Sequence, residues 1–201
     1  MGSSEGAENT RANAPRPPHL IPVDRAALGQ HRKRVRGVDE TPPTVYSGGR
    51  PYIKLEDGTI ISMSGNLELA IQVGEREYDL LLRRDYRTKR HMQWFYFRVD
   101  GARDEPCSFR ILNAGDASYP NAWDGYRVCT SVDRQSWTRV ATKYAGGVLT
   151  IDHQPEAQMQ WYAYFAPHTH EQHLNLLAHC QLSDFVRMNR LGSTVDGRDL
   201  H

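Results

Sequence analysis

From residue 46 onward, apolar and polar side chains alternate with the period of two expected of strands whose faces meet different surroundings. Leu67, Leu69, Ile71 and Val73 alternate with Glu68, Ala70 and Gln72. After a turn at Gly74-Glu75-Arg76, Tyr78, Leu80 and Leu82 repeat the pattern, and Cys107, Phe109 and Ile111 form a further apolar row. Asp57-Gly58 is a tight-turn dipeptide between two short strands within 51–61. The densest stretch is His91-Met92-Gln93-Trp94-Phe95-Tyr96-Phe97-Arg98-Val99. An extended chain there sets Phe95, Phe97 and Val99 on one face and Trp94 and Tyr96 on the other, which predicts a central core strand covered on both sides. More strands are predicted over 126–131, 136–140, 148–152 and 159–165, with turns at Asp133-Arg134-Gln135 and Gly146-Gly147. About eight or nine short strands punctuated by turn residues indicate an all-β fold, an antiparallel β-sandwich.

The pattern changes near the end of the chain. Thr169 and Gln172 form a capping box, and Leu174, Leu177, Ala178, Leu182 and Phe185 recur at helical spacing. Residues 189–194 are expected as a new strand, with Val195-Asp196-Gly197-Arg198 as a hairpin turn. A return strand starting at Asp199 would be too short to pair, so the native protein is expected to continue beyond His201. The start is different again. Residues 1–44 hold Pro15, Pro17, Pro18, Pro22, Pro42 and Pro43 with many charges, a composition expected to stay disordered. The basic cluster 31–36 within it is expected to be a solvated linker. The expected organisation is a Pro/Arg-rich tail over 1–44, a β-sandwich over 45–168, and a helix with a truncated hairpin over 169–201.

Hydrophobic residues make up 39% of the 201, and the formal net charge is +1, so no whole-chain bias toward nucleic acid or membrane exists. Met1-Gly2-Ser3-Ser4-Glu5-Gly6 lacks the Ser or Thr that a myristoylation site needs at its sixth position. Cys107, Cys129 and Cys180 form no CxxC pair and are expected as free thiols of a soluble, intracellular protein.

Candidate chemistry is sparse. His168, His170, His173 and His179 have zinc-friendly side chains, but a site also needs a third ligand in register and a supporting shell; they are expected as capping or solvated histidines. Asp79, Asp85, Asp133 and Asp152 are expected at strand ends or in turns, accepting from backbone donors. Cys129 with His153 would be a nucleophile and base only by an accident of folding. Arg83, Arg84, Arg87, Lys89 and Arg90 make a basic loop, expected as a solvated edge; an acidic-substrate rim is its sharper reading. His91 and Gln93 are expected to hydrogen-bond locally. No G-x-S-x-G elbow, P-loop or dinucleotide glycine pattern occurs, so no catalytic, cofactor-binding or metal-ligating residue is assigned.

Ser64-Gly65-Asn66-Leu67, Tyr78-Asp79-Leu80, His91-Met92-Gln93-Trp94-Phe95-Tyr96-Phe97, Phe109-Arg110-Ile111-Leu112-Asn113 and the Trp137 strand resemble, in order and spacing, the N-terminal domain of the cytosolic carboxypeptidases, and Leu191-Gly192-Ser193-Thr194 with Gly197-Arg198 resembles that family's entry into its α/β catalytic domain. The resemblance covers roughly residue 60 to the end. It implies a β-sandwich placed before an α/β catalytic domain in a cytoplasmic zinc metallocarboxypeptidase that trims glutamates from tubulin and other acidic protein tails. The family's zinc ligands, substrate-binding arginine and catalytic Glu would fall beyond this chain, and zinc would belong to the full-length enzyme. The implied partners are the catalytic domain and acidic protein tails, with no nucleic acid and no membrane. A free-standing β-sandwich interaction module without enzymatic activity is the alternative.

Overall fold

A computed structural model describes residues 44–47, 50–85 and 90–201. The expected tail, apart from Thr44, lies outside the described residues, as do Arg87 and Lys89 of the basic loop. Strands run in the order β1 (Thr44–Ser47), β2 (Arg50–Lys54), β3 (Ile60–Ser64), β4 (Leu67–Gly74), β5 (Glu77–Leu82), β6 (Tyr96–Asp100) and β7 (Cys107–Ile111). Two 3-10 turns, Ala114–Asp116 and Pro120–Trp123, precede β8 (Cys129–Ser131), β9 (Thr138–Arg139), β10 (Thr142–Ala145), β11 (Val148–His153) and β12 (Met159–Ala163). Helix α1 (His170–Cys180) and the hairpin β13 (Gly192–Ser193) and β14 (Asp199–Leu200) follow.

A seven-stranded sheet in the order β1-β2-β3-β6-β12-β8-β9 faces a five-stranded sheet in the order β10-β11-β7-β5-β4. All neighbours are antiparallel except β5 and β7, which run parallel with Leu80 opposite Ile111. The sheets meet through aromatic rings: Phe109 of the smaller sheet lies 5.8 Å from Phe97 and 5.2 Å from Tyr162 of the larger. Phe95, Phe97, Val99, Phe109, Ile111, Leu80 and Leu82 are fully buried. Each large ring removes roughly 150–250 Å² from water, several kcal/mol at about 25 cal/mol per Å².

Several polar groups inside this core are paired. Asn113 acts as an extra rung: its Oδ1 accepts from the Leu82 N–H at 3.0 Å, and its Nδ2 donates to the Leu82 carbonyl at 2.8 Å. At the end of the sandwich by the Asp57-Gly58 turn, the Tyr78 hydroxyl donates to Asp57 Oδ2 at 2.6 Å, and Arg76 Nη1 donates to Thr59 Oγ1 at 2.6 Å. Burial, foremost, pushes the Tyr78 phenol up to about 12. Beside it, His153 Nδ1 lies 2.9 Å from the Tyr162 hydroxyl, a link between the two sheets.

The structure departs from the simple alternation at specific places. The row Leu67, Leu69, Ile71, Val73 does not share one face. Leu67 pairs with Leu82 but Leu69 pairs with Leu81, a register shift at Glu68 that reverses the parity of the positions up to Gln72, and a second shift follows between Gln72 and Gly74. Ala70 therefore joins Leu80 in the core, while Val73 is exposed. The aromatic stretch enters its strand only at Tyr96; residues 91–95 are irregular. In β12 the inward residues are Gln160 and Tyr162, whereas Met159 is exposed. Strands β1 and β10 carry no alternation long enough to read from sequence. The capping box forms as expected, with Gln172 N–H donating to Thr169 Oγ1 at 3.2 Å and Thr169 N–H to Gln172 Oε1 at 2.7 Å. The helix stops at Cys180, leaving Leu182 and Phe185 beyond it. The expected strand 189–194 shrinks to β13, and the short return does pair: Ser193 faces Asp199, and Leu191 N–H donates to the Leu200 carbonyl at 2.7 Å.

Candidate functional site

Gly65 turns the chain from β3 of one sheet into β4 of the other, with φ at +60°. A Cβ at this position would sit 2.5 Å from Cζ3 of Trp94, so the absence of a side chain lets the indole lie flat against the turn. Trp94 stacks on Tyr96 at 6.0 Å between centroids, and Tyr96 lies 6.4 Å from Trp137. These three half-buried rings floor a groove of about 750 Å³, bounded by Arg83, Glu68, Asp133, Arg134, Pro167 and the start of α1.

The opposite wall is a rigid turn. Asp133 Oδ1 accepts from the N–H groups of Gln135 and Ser136, both at 2.7 Å, and these bonds hold its carboxyl at about 2. Ser131 Oγ accepts from the Arg134 N–H at 2.8 Å, and Arg134 takes a left-handed φ of +63° that carries it onto the rim. Across the groove, Arg83 Nη2 donates to the Gly65 carbonyl at 3.3 Å. The Trp94 indole nitrogen is buried with no hydrogen-bond partner among the described residues.

The full-core expectation for Trp94 and Tyr96 is therefore corrected. Phe95 and Phe97 face the sandwich interior, but the alternate face looks into the groove. Trp137, Arg134 and Gly65 escaped the site reading because the 133–137 segment, Gly65 and Trp94 lie far apart along the chain; the Asp133 turn was the one local signal near them. Arg83 does reach the groove, opposite Glu68. Arg84 donates to the Arg90 carbonyl at 3.2 Å instead.

Other candidates are dispersed. Asp133 accepts from backbone donors as expected, but Asp79 lies inside β5 and pairs with Arg110 at 2.7 Å. Asp85 accepts from Asn66 Nδ2 at 2.6 Å, and Asp152 lies inside β11 rather than in a turn. Cys129 and His153 belong to different sheets, and the His153 ring is engaged by Tyr162. Gln93 reaches across 26 positions to accept from the Tyr119 N–H at 2.9 Å, so its bond is not local in sequence. The His91 carbonyl accepts from the Asp85 N–H at 2.8 Å.

The histidines do not fit a catalytic zinc. His173 lies 6.3 Å from His168 and 6.4 Å from His170 between ring centroids, at a helix start whose partial positive charge disfavours a cation. His179 Nδ1 is 2.8 Å from the Asn175 carbonyl. Among the described residues, no group of three or more His, Cys, Asp or Glu side chains is arranged to hold a metal ion. The described residues also contain no helix long and apolar enough to cross a membrane.

Residues 62–165 match the family described as the cytosolic carboxypeptidase N-terminal domain. This chain belongs to that family. An uncharacterized protein of Zymomonas mobilis is 37% identical over 136 residues, covering 68% of this chain and 35% of its own length. Cytosolic carboxypeptidase 4 of Mus musculus is 55% identical over 51 residues, covering 25% of this chain and 4% of its own. Among solved structures, a metallo-carboxypeptidase from Burkholderia cenocepacia superposes with a TM-score of 0.66 at 35% identity, covering 70% of this chain and 37% of that one. A metallo-carboxypeptidase from Pseudomonas aeruginosa gives 0.63 at 33% identity, covering 68% and 36%. The cytosolic carboxypeptidase N-terminal domain described here thus spans little more than a third of the Zymomonas relative and of these two solved enzymes.

Proposed function

We propose that this β-sandwich is the non-catalytic N-terminal domain of a cytoplasmic zinc metallocarboxypeptidase that removes glutamates from acidic protein tails such as those of tubulin. It supports the folding of, and substrate access to, a catalytic domain that carries the metal. Zinc there would polarise the scissile carbonyl and activate water; no residue of this span takes part in that step.

The observation that carries the reading is the uncovered apolar surface after the sandwich. No residue of α1 is buried, and Leu182, Phe185, Leu191 and Val195 are 80%, 98%, 77% and 94% exposed. An 11-residue helix is marginal in water without a packed face, and contiguous exposed apolar groups mark an interaction surface. The family's larger relatives contain the additional chain that such a surface needs. The test is glutamate release from a poly-glutamate peptide with zinc, by this chain and by a longer protein that includes the carboxypeptidase portion. Release is expected only from the longer protein. Zinc-dependent release by this chain alone, above a chelated control, would overturn the proposal.

A second reading, a free-standing interaction module, is favoured by the preformed aromatic groove. Light scattering separates the two: the longer protein should stay monodisperse where this chain self-associates through α1 and the hairpin. Equal behaviour favours the module.

A further inference from the structure

We propose that the groove floored by Trp94, Tyr96 and Trp137 is a docking site for this chain's own proline-rich stretch, Pro15-Arg16-Pro17-Pro18-His19-Leu20-Ile21-Pro22. The rings lie next to one another at centroid spacings of 6.0 and 6.4 Å and together make a continuous apolar floor to the groove. Proline-rich segments are ligands that aromatic-lined grooves take: their pyrrolidine rings are compact and apolar, and they lose little freedom on binding because φ is already restricted.

The groove needs little reorganisation to receive one. Gly65 seats Trp94, and the hydrogen-bonded Asp133 turn seats Trp137, so the ordering cost of binding falls mainly on the ligand. Charge favours the same occupant. The rim carries Glu68 and Asp133 as well as Arg83 and Arg134, so a purely acidic peptide meets as many like charges as opposite ones. A proline stretch with the single arginine Arg16 does not.

The tether fits. From Tyr96 on β6, the strands β3, β2 and β1 follow in order to the sheet edge, three spacings of about 4.8 Å, or roughly 15 Å. The 21 residues from Val23 to Pro43 join the proline stretch to β1. A flexible linker of 21 residues has a root-mean-square length of about 25 Å, comparable with the span. Tethers of this kind give effective concentrations on the order of 1 mM.

The test uses the full chain and a full-chain variant with Pro15→Ser, Pro17→Ser and Pro18→Ser, each titrated with a synthetic peptide of residues 14–24. Binding is read by tryptophan fluorescence and by hydrogen exchange over residues 94–97 and 134–138. With an intrinsic affinity of about 0.1 mM, the tethered stretch should weaken peptide binding to the unmodified chain about tenfold relative to the variant. The serine substitutions should also speed exchange over both segments. Adding Trp137→Ala to the variant should abolish peptide binding. If that change lowers the thermal midpoint, Trp137→Leu, which keeps more apolar packing but loses the flat face, should abolish binding equally. Three results would each overturn the proposal. One is equal peptide affinity for the two chains. Another is groove protection that persists in the serine variant and rises with protein concentration, which would mark a second copy as the occupant. The third is tighter binding of a poly-glutamate peptide than of the proline peptide.

Discussion

Replacing Asn113 with Leu tests whether the end of β5 is held by a side chain rather than by a strand. The Asn113 amide closes both polar groups of Leu82, at 3.0 Å to the N–H and 2.8 Å to the carbonyl, and both residues are buried. Leucine has the same branched outline with somewhat larger ends and opens no cavity, so the main loss is that of two backbone groups left without partners. Each such group costs about 1–3 kcal/mol. Partial water entry and the gain from burying leucine offset some of this, giving a net loss of about 2–4 kcal/mol out of a typical 5–15 kcal/mol. At about 2–4 °C per kcal/mol for a chain of this size, the thermal midpoint should drop by roughly 5–15 °C. Urea unfolding gives the free energy, and hydrogen exchange at the Leu82 amide gives its location, since that amide should become one of the faster-exchanging positions in the core. Asn113→Asp sharpens the case. The carboxylate still accepts from the Leu82 N–H but faces the carbonyl with no proton to donate, so this variant should recover stability as the pH is lowered and the acid protonates. A loss under about 1 kcal/mol for Asn113→Leu, with the Leu82 amide still protected, would refute the reasoning.

Phe97→Ala opens the centre of the core between Tyr162 and Phe109, 5.0 and 5.8 Å away, and should cost about 3–5 kcal/mol in urea unfolding. Gly65→Ala forces a methyl into the Trp94 ring at a left-handed φ; a loss of about 1–3 kcal/mol with a changed near-ultraviolet tryptophan signal is expected. Desolvation holds the half-buried His153 below its ordinary value of 6.5, with Glu156 opposing, so the native state resists a proton that the unfolded chain accepts. Stability should therefore be unaffected by this group at pH well above 6.5 and should fall as the pH drops from there through the native value. Urea midpoints measured across that range should show the fall, and His153→Gln should remove the part due to this group.

Much of the sandwich was legible because alternation survives wherever a strand is regular. Tyr78, Leu80 and Leu82, and Cys107, Phe109 and Ile111, fall on the buried face as their spacing indicates. Alternation failed at β4 for a local reason. Register shifts at Glu68 and again between Gln72 and Gly74 break the parity, and no composition rule marks either. The groove was less legible still. Trp94 and Tyr96 read as core because their spacing is identical whether a second layer covers that face or a cleft opens there.

By itself, the sequence determined the strand-rich class, the capped helix from Thr169, the Asp57-Gly58 and Asp133 turns, and the family, because each rests on residues near one another along the chain. Tertiary structure alone decided the β5–β7 parallel pairing, the closing of Leu82 by Asn113 from 31 positions away, and the meeting of Gly65, Trp94 and Trp137 around one groove. Those contacts join segments whose separation carries no periodic signal, so they exist only once the two sheets have packed.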